Sequence, residues 1–152
     1  MSPPGINKSK EELVVLLRTY LGDSPEENRI IPGKETSDDK LSLALDLALD
    51  EYNNTPPFET RTFQTFPSLI TILSGAAIQA LVMAGLVQSR NHLQFSDGRF
   101  STVIEDKSPA YQAWINQIIA TYQRNVSAIK TSLNMERNFG VISSPYGNVM
   151  DF

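Results

Sequence analysis

Apolar and polar positions alternate along this chain with two different periods, and most of it follows the helical one. Ser9, with Glu12 three residues on, forms a capping box. Leu13, Leu16, Leu17, Tyr20 and Leu21 follow at helical spacing until Gly22 supplies a stop. Residues 23–36, DSPEENRIIPGKET, contain two Pro and one Gly without a sustained period, which predicts a loop with a turn starting at Ser24 and Pro25. A second helix begins near Thr36 or Ser37, where Asp38 and Asp39 complement the positive end of its dipole. Its stripe is Leu41, Leu45, Ala48, Leu49 and Tyr52. Leu43 and Leu47 lie off that stripe, so this helix is expected to bury two faces, inside a bundle or at a subunit contact.

NNTPPF ends the second helix, because neither Pro can continue it and Thr55 before Pro56 is pushed out of the helical region. An extended ETRTFQTF is expected next, with Phe63 and Phe66 clamping it to the core. From Thr62 to Ser89 no residue is charged, and residues 67–87, PSLITILSGAAIQALVMAGLV, have the length that spans a bilayer. Gln79 in mid-span, Ser68, Thr71, Ser74, Gly75 and Gly85, and the lack of a Lys or Arg cluster at either end and of a flanking Trp favour a buried central helix; a membrane anchor is the alternative. The small residues Ser74 to Ala77, Ala80 and Ala84 would let other helices approach closely.

The strand period appears once. In HLQFSDGRFSTV, Leu93 and Phe95 alternate before Asp97 and Gly98, and Phe100 and Val103 continue past Arg99. Asp-Gly favours a type I′ turn, which predicts a two-stranded ribbon over residues 92–104. An isolated hairpin is marginal in water, so its apolar side chains must lie on the bundle or on a neighbouring chain.

Ser108 and Pro109 then open the longest helix, along which Tyr111, Trp114, Ile115, Ile118, Ile119, Tyr122, Val126, Ile129 and Leu133 recur. Its other face carries Gln112, Asn116, Gln117, Thr121, Gln123, Asn125, Ser127 and Thr131, either an exposed face of unusual composition or a subunit contact. The last nineteen residues place Phe139, Val141, Ile142, Tyr146, Val149, Met150 and Phe152 among Gly and Pro. This predicts an extended arm over residues 134–152, packed on its own bundle or on a partner. The expected architecture is therefore mainly α: a helical bundle of about four helices in a single domain over residues 1–133, with one small β-hairpin and an extended C-terminal arm.

Composition narrows the chemistry. The 152 residues are 41% apolar and 20% charged, enough for one domain with its own core. A net charge of −4 disfavours strong nucleic-acid binding through phosphates. The charge is uneven: residues 22–60 carry ten acidic and three basic groups, read as the solvated face of a helix and its loops. The start, MSPPGINKSK, lacks the apolar run of a signal peptide. With no Cys and one His, thiolate sites, cysteine nucleophiles and most zinc or triad chemistry drop out. No phosphate loop, GxGxxG, HExxH or GxSxG occurs. His92 reads as a surface residue, and Asp97 with Arg99 as turn residues. Asp46, Asp50 and Glu51 read as a solvated acidic face rather than a cation site, and Trp114, Tyr111 and Tyr122 as core rather than base-stacking platforms. No catalytic, cofactor-binding or metal-binding residue is expected, and the chain is not expected to be an enzyme.

The order of DKLSLALDLALDEYNNTPP, the uncharged helix, NHLQFSDGRFSTVIED, YQAWINQIIATYQRNVSAIKTSLN and FGVISSPYG resembles the tailed-bacteriophage head-to-tail connector (neck or adaptor) proteins, over residues 38–148. The resemblance implies a virion protein, assembled in the host cytoplasm as a homo-oligomeric ring that joins portal and head to tail or neck proteins. DNA would pass through its channel only as cargo, and no membrane would be involved. Onto this chain the resemblance places ring or tail contacts at Phe95, Asp97, Gly98, Arg99 and Phe100, and docking at Phe139, Val141, Ile142, Tyr146, Val149 and Phe152. The acidic block from Asp23 to Glu59 would face the channel. A tail or baseplate assembly protein that works by protein binding is the alternative.

Overall fold

The computed structural model describes residues 5–28, 33–90, 94–97, 100–103 and 107–139. Four helices make up the body: α1 (Lys10–Leu21), α2 (Asp38–Asn54), α3 (Leu69–Arg90) and α4 (Ser108–Phe139). Between α3 and α4 the backbone forms two short strands, β1 (Gln94–Asp97) and β2 (Phe100–Val103), paired antiparallel with Gln94 opposite Val103 and Asp97 opposite Phe100.

Local chemistry sets most helix ends. At the start of α1 the Glu12 amide donates to Ser9 Oγ (3.2 Å) while the Ser9 amide donates to the Glu12 carboxylate (2.8 Å), completing the capping box. Gly22 closes the helix with a left-handed φ of 66°. Ser37 caps α2 through its side chain, with Asp38 and Asp39 in the first turn.

The central helix is α3, which packs against each of the other three. It is long and apolar enough to cross a membrane, and 56% of its most apolar window is buried inside the bundle. Every residue from Thr71 to Ile78 is buried. Its small residues permit this: a Cβ on Gly75 would stand 2.9 Å from the Tyr122 ring, so α4 lies as close to α3 as a glycine allows. Leu13 and Leu17 of α1 and Leu41, Ala44, Leu45, Ala48 and Tyr52 of α2 join the same core. Each large side chain buried there contributes roughly 1.5–3 kcal/mol.

Several expectations need correction. Residues 62–66 do not run extended; the Thr65 amide donates to the Thr62 carbonyl (3.2 Å) and closes a turn that delivers Phe66 onto Tyr52, ring centroids 4.6 Å apart. Tyr20 (42% exposed), Leu43, Leu47 and Trp114 (51%) leave the core, because one face of α1, α2 and α4 meets no other described helix. The last helix does not stop at Leu133 but runs to Phe139, so residues 134–139 belong to α4 rather than to an arm. No Gly or Pro interrupts the chain before Gly140, Asn138 donates to Asn134 one turn back (2.8 Å), and Arg137 suits the negative end of the dipole.

Candidate interaction surface

Two buried ionic clusters hold the loops that shape the surface. In the first, Arg18 of α1 donates to the Asp23 carboxylate (2.7 Å), to the Thr36 carbonyl (2.7 Å) and to Asp38 at the start of α2 (2.6 Å). Asp23 also accepts from Asn28 (2.8 Å) and from the amides of Glu35 (2.7 Å) and Thr36 (2.9 Å). Burial opposes the charge on Asp23, but these donors outweigh it and hold its carboxyl below the ordinary value. For Asp38 the Arg18 bond dominates and also lowers the pKa. The long loop is thereby tied at both ends to α1 and α2.

The second cluster centres on Glu59, whose side chain is 3% exposed. It accepts from Tyr52 Oη (3.0 Å) and Lys130 Nζ (3.3 Å), and pairs with Arg61 (3.1 Å) and Arg137 (3.5 Å). Lys130 also donates to the Pro57 carbonyl (2.9 Å) and sits 4.0 Å from the centroid of the Tyr52 ring. Burial pushes Glu59 upward, yet the bonds from Tyr52 and Lys130 and the charge of Arg61 prevail, leaving it below its ordinary value. Burial dominates at Lys130 and lowers it, and burial with the Glu59 bond raises Tyr52. Burial likewise pushes Tyr111, which donates to Glu35 (2.8 Å), and Tyr122 up to about 12. These tyrosines stay neutral donors or apolar walls at neutral pH.

The acidic block is therefore not uniformly solvated. Asp23 and Glu59 are buried ion-pair members, Glu35 serves Tyr111, Asp46 is paired with Lys10 (2.7 Å) and Glu51 accepts from Gln79 (3.0 Å). Among the described residues, no group of three or more His, Asp or Glu stands close enough to hold a metal.

Large apolar side chains are exposed on all four helices: Val15 on α1, Leu43 and Leu47 on α2, Ile70, Val82, Leu86 and Val87 on α3, and Trp114 and Met135 on α4. The concentration is greatest on the last turns of α3, where Val82 is 40% and Leu86 59% exposed. Among the described residues, open grooves lie between helices. One of about 530 Å3 runs between α1 and α2 beside Val14, Val15 and Lys34. A polar one of about 470 Å3 separates the end of α2 from α4, and a more apolar one of about 430 Å3 separates the start of α3 from α4.

Of the predicted contact residues, the backbone places Phe95 and Asp97 on β1, Phe100 on β2 and Phe139 at the last position of α4. Gly98, Arg99, Val141, Ile142, Tyr146, Val149 and Phe152 lie outside the described residues, as does His92. Sequence reasoning missed both ionic clusters. One signal was present: Lys130 falls on the apolar stripe of α4, four residues after Val126 and three before Leu133, where a charge needs a buried partner. Comparison with protein-family models, with curated proteins and with solved structures found no match to this chain.

Proposed function

We propose that this chain is a structural subunit of a tailed-phage neck, a head-to-tail connector that assembles as a homo-oligomeric ring and acts by binding rather than by catalysis. The observation that carries the reading is the uncovered apolar end of α3. Val82, Leu86 and Val87 stand exposed on the last turns of α3, just ahead of the strand pair in sequence, so apolar side chains are left uncovered at that end of the helix. Association of copies buries such a surface. The order of elements along residues 38–148 supports the phage assignment.

In this reading the ribbon over residues 92–104, with Phe95, Asp97, Gly98, Arg99 and Phe100, carries lateral or tail-facing contacts. The arm, shortened to residues 140–152, supplies docking to portal, neck or tail proteins through Val141, Ile142, Tyr146, Val149 and Phe152. DNA passes as cargo, the acidic residues left exposed on α2 discourage its adhesion, and the protein resides in the virion after assembly in the host cytoplasm. Burial of the first half of α3 among the other helices supports a core helix rather than a membrane anchor.

The test is the mass of the purified protein by light scattering on a sizing column, followed by imaging of any large species. A discrete ring of many copies is the expected result, either alone or after addition of purified portal protein. A chain that stays monomeric in both conditions, and binds neither portal nor tail proteins, overturns the reading.

A further inference from the structure

Helix α2 turns Leu41, Ala44, Leu45, Ala48 and Tyr52 into the bundle, where α1 and α3 pack against it. Its outer side carries Leu43 and Leu47, 48% and 41% exposed, one turn apart and about 6 Å along the axis at 1.5 Å per residue. At about 100° per residue, the exposed Asp39, Asp46 and Asp50 form a row along one edge of this leucine ridge. Lys10 of α1 pairs with Asp46 in that row (2.7 Å). Lys40 borders the opposite edge, beside Met83, Ala84 and Val87 of α3. The ridge therefore lies in the most acidic part of the chain, residues 22–60, with ten acidic and three basic groups.

We propose that the outer face of α2 is a docking surface for a cationic amphipathic segment of a different protein. Leu43 and Leu47 take its apolar side chains, and Asp39, Asp46 and Asp50 take its Lys or Arg. Exposed apolar side chains that recur one turn apart on a helix mark a contact face, and the charge beside them selects what covers it. A segment with apolar anchors at helical spacing and cations along one side matches both features at once. A nucleic acid or an anionic lipid surface would bring phosphates against the three carboxylates, so passing DNA does not compete for the face. A second copy of the chain brings the same net charge of −4 and the same acidic row. The docking does not depend on the ring assignment, because it concerns a partner other than a copy of this chain.

The full chain is titrated, by fluorescence anisotropy, against a labelled peptide of about 14 Leu and Lys residues with Leu at i, i+3, i+4 and i+7, and against the same peptide with Glu for Lys. The Lys peptide is expected to bind, and the Glu peptide at least tenfold more weakly. Leu43→Gln with Leu47→Gln, and Asp46→Asn with Asp50→Asn, should each weaken binding of the Lys peptide at least tenfold. Glu26→Gln with Glu27→Gln makes the same change in net charge as the Asp pair, on the exposed turn after α1, and should alter binding by less than twofold. Gln sustains a helix nearly as well as Leu; circular dichroism checks the fold, and Leu47→Gln alone is read where the pair loses helix. A parent chain that does not bind the Lys peptide, or Leu variants that bind it as tightly as the parent, overturn the site. Equal weakening by the Asp and Glu pairs, or equal binding of the two peptides, overturns it as well. If the Leu pair loses self-association by light scattering yet still binds the peptide, the face belongs to a second copy and the proposal fails.

Discussion

Lys130 of α4 reaches across to Glu59, 71 residues earlier in the chain, and their 3.3 Å contact lies under side chains that are only 4% and 3% exposed. Because Arg61 and Arg137 also pair with Glu59, this carboxylate is the shared counter-ion of three cations, and it anchors the loop after α2 to the last helix.

Replacing Glu59 with Gln is therefore expected to cost about 3 kcal/mol, since it leaves buried cations without their partner. For a chain of this size that corresponds to a drop of roughly 6–12 °C in Tm, read by circular dichroism. The Lys10–Asp46 pair, with side chains 32% and 52% exposed, is the contrast: Asp46→Asn should change stability by less than about 0.5 kcal/mol. Similar losses in the two variants would remove Glu59 from its central role.

Two glycines of α3 should respond with opposite signs to the same substitution. Gly75→Ala places a methyl 2.9 Å from a Tyr122 ring carbon and is expected to destabilise by about 1–3 kcal/mol despite its better helix propensity. Gly85→Ala meets nothing within 4 Å and should stabilise by up to about 1 kcal/mol. Denaturant unfolding of the pair measures both, and a stabilised Gly75→Ala protein would contradict the close approach of α3 and α4.

Acid should weaken the fold through Asp23 and Glu59. Both have folded pKa values below their ordinary ones, so the unfolded chain binds more protons and stability rises with pH across the carboxylate range. Their contribution is complete above about pH 5 and is lost as the pH falls through the lowered folded values. Thermal melts between pH 3 and pH 7 should show this slope, and Asp23→Asn should flatten it; an unchanged slope would exclude Asp23 as a source.

Leu86 is 59% exposed, so Leu86→Gln should leave the melting curve of the isolated subunit within about 0.5 kcal/mol of the parent. If the end of α3 is buried on assembly, the same change lowers the fraction of large species seen by light scattering. A variant that assembles as fully as the parent would move the contact elsewhere.

The readings that held were those decided by neighbours in sequence. The Ser9–Glu12 box, the Gly22 stop and the Ser37 cap each depend on atoms a few residues apart, and the uncharged stretch announced a core helix by its composition. Stripes were legible too, but not how far around each helix burial extends: Trp114 shares the spacing of Ile115 and Tyr122 and still faces out, because no described helix covers that side of α4.

What the amino-acid order determined by itself was four helices, most of their boundaries and the identity of the central one, since hydrogen bonding within a turn and apolar periodicity are local properties. Only the tertiary structure decided that Arg18 would close a loop through Asp23 and Asp38, and that Glu59 would collect Lys130, Arg61 and Arg137. Buried charges find partners through space, and the desolvation that makes those partners necessary exists only once the helices have packed.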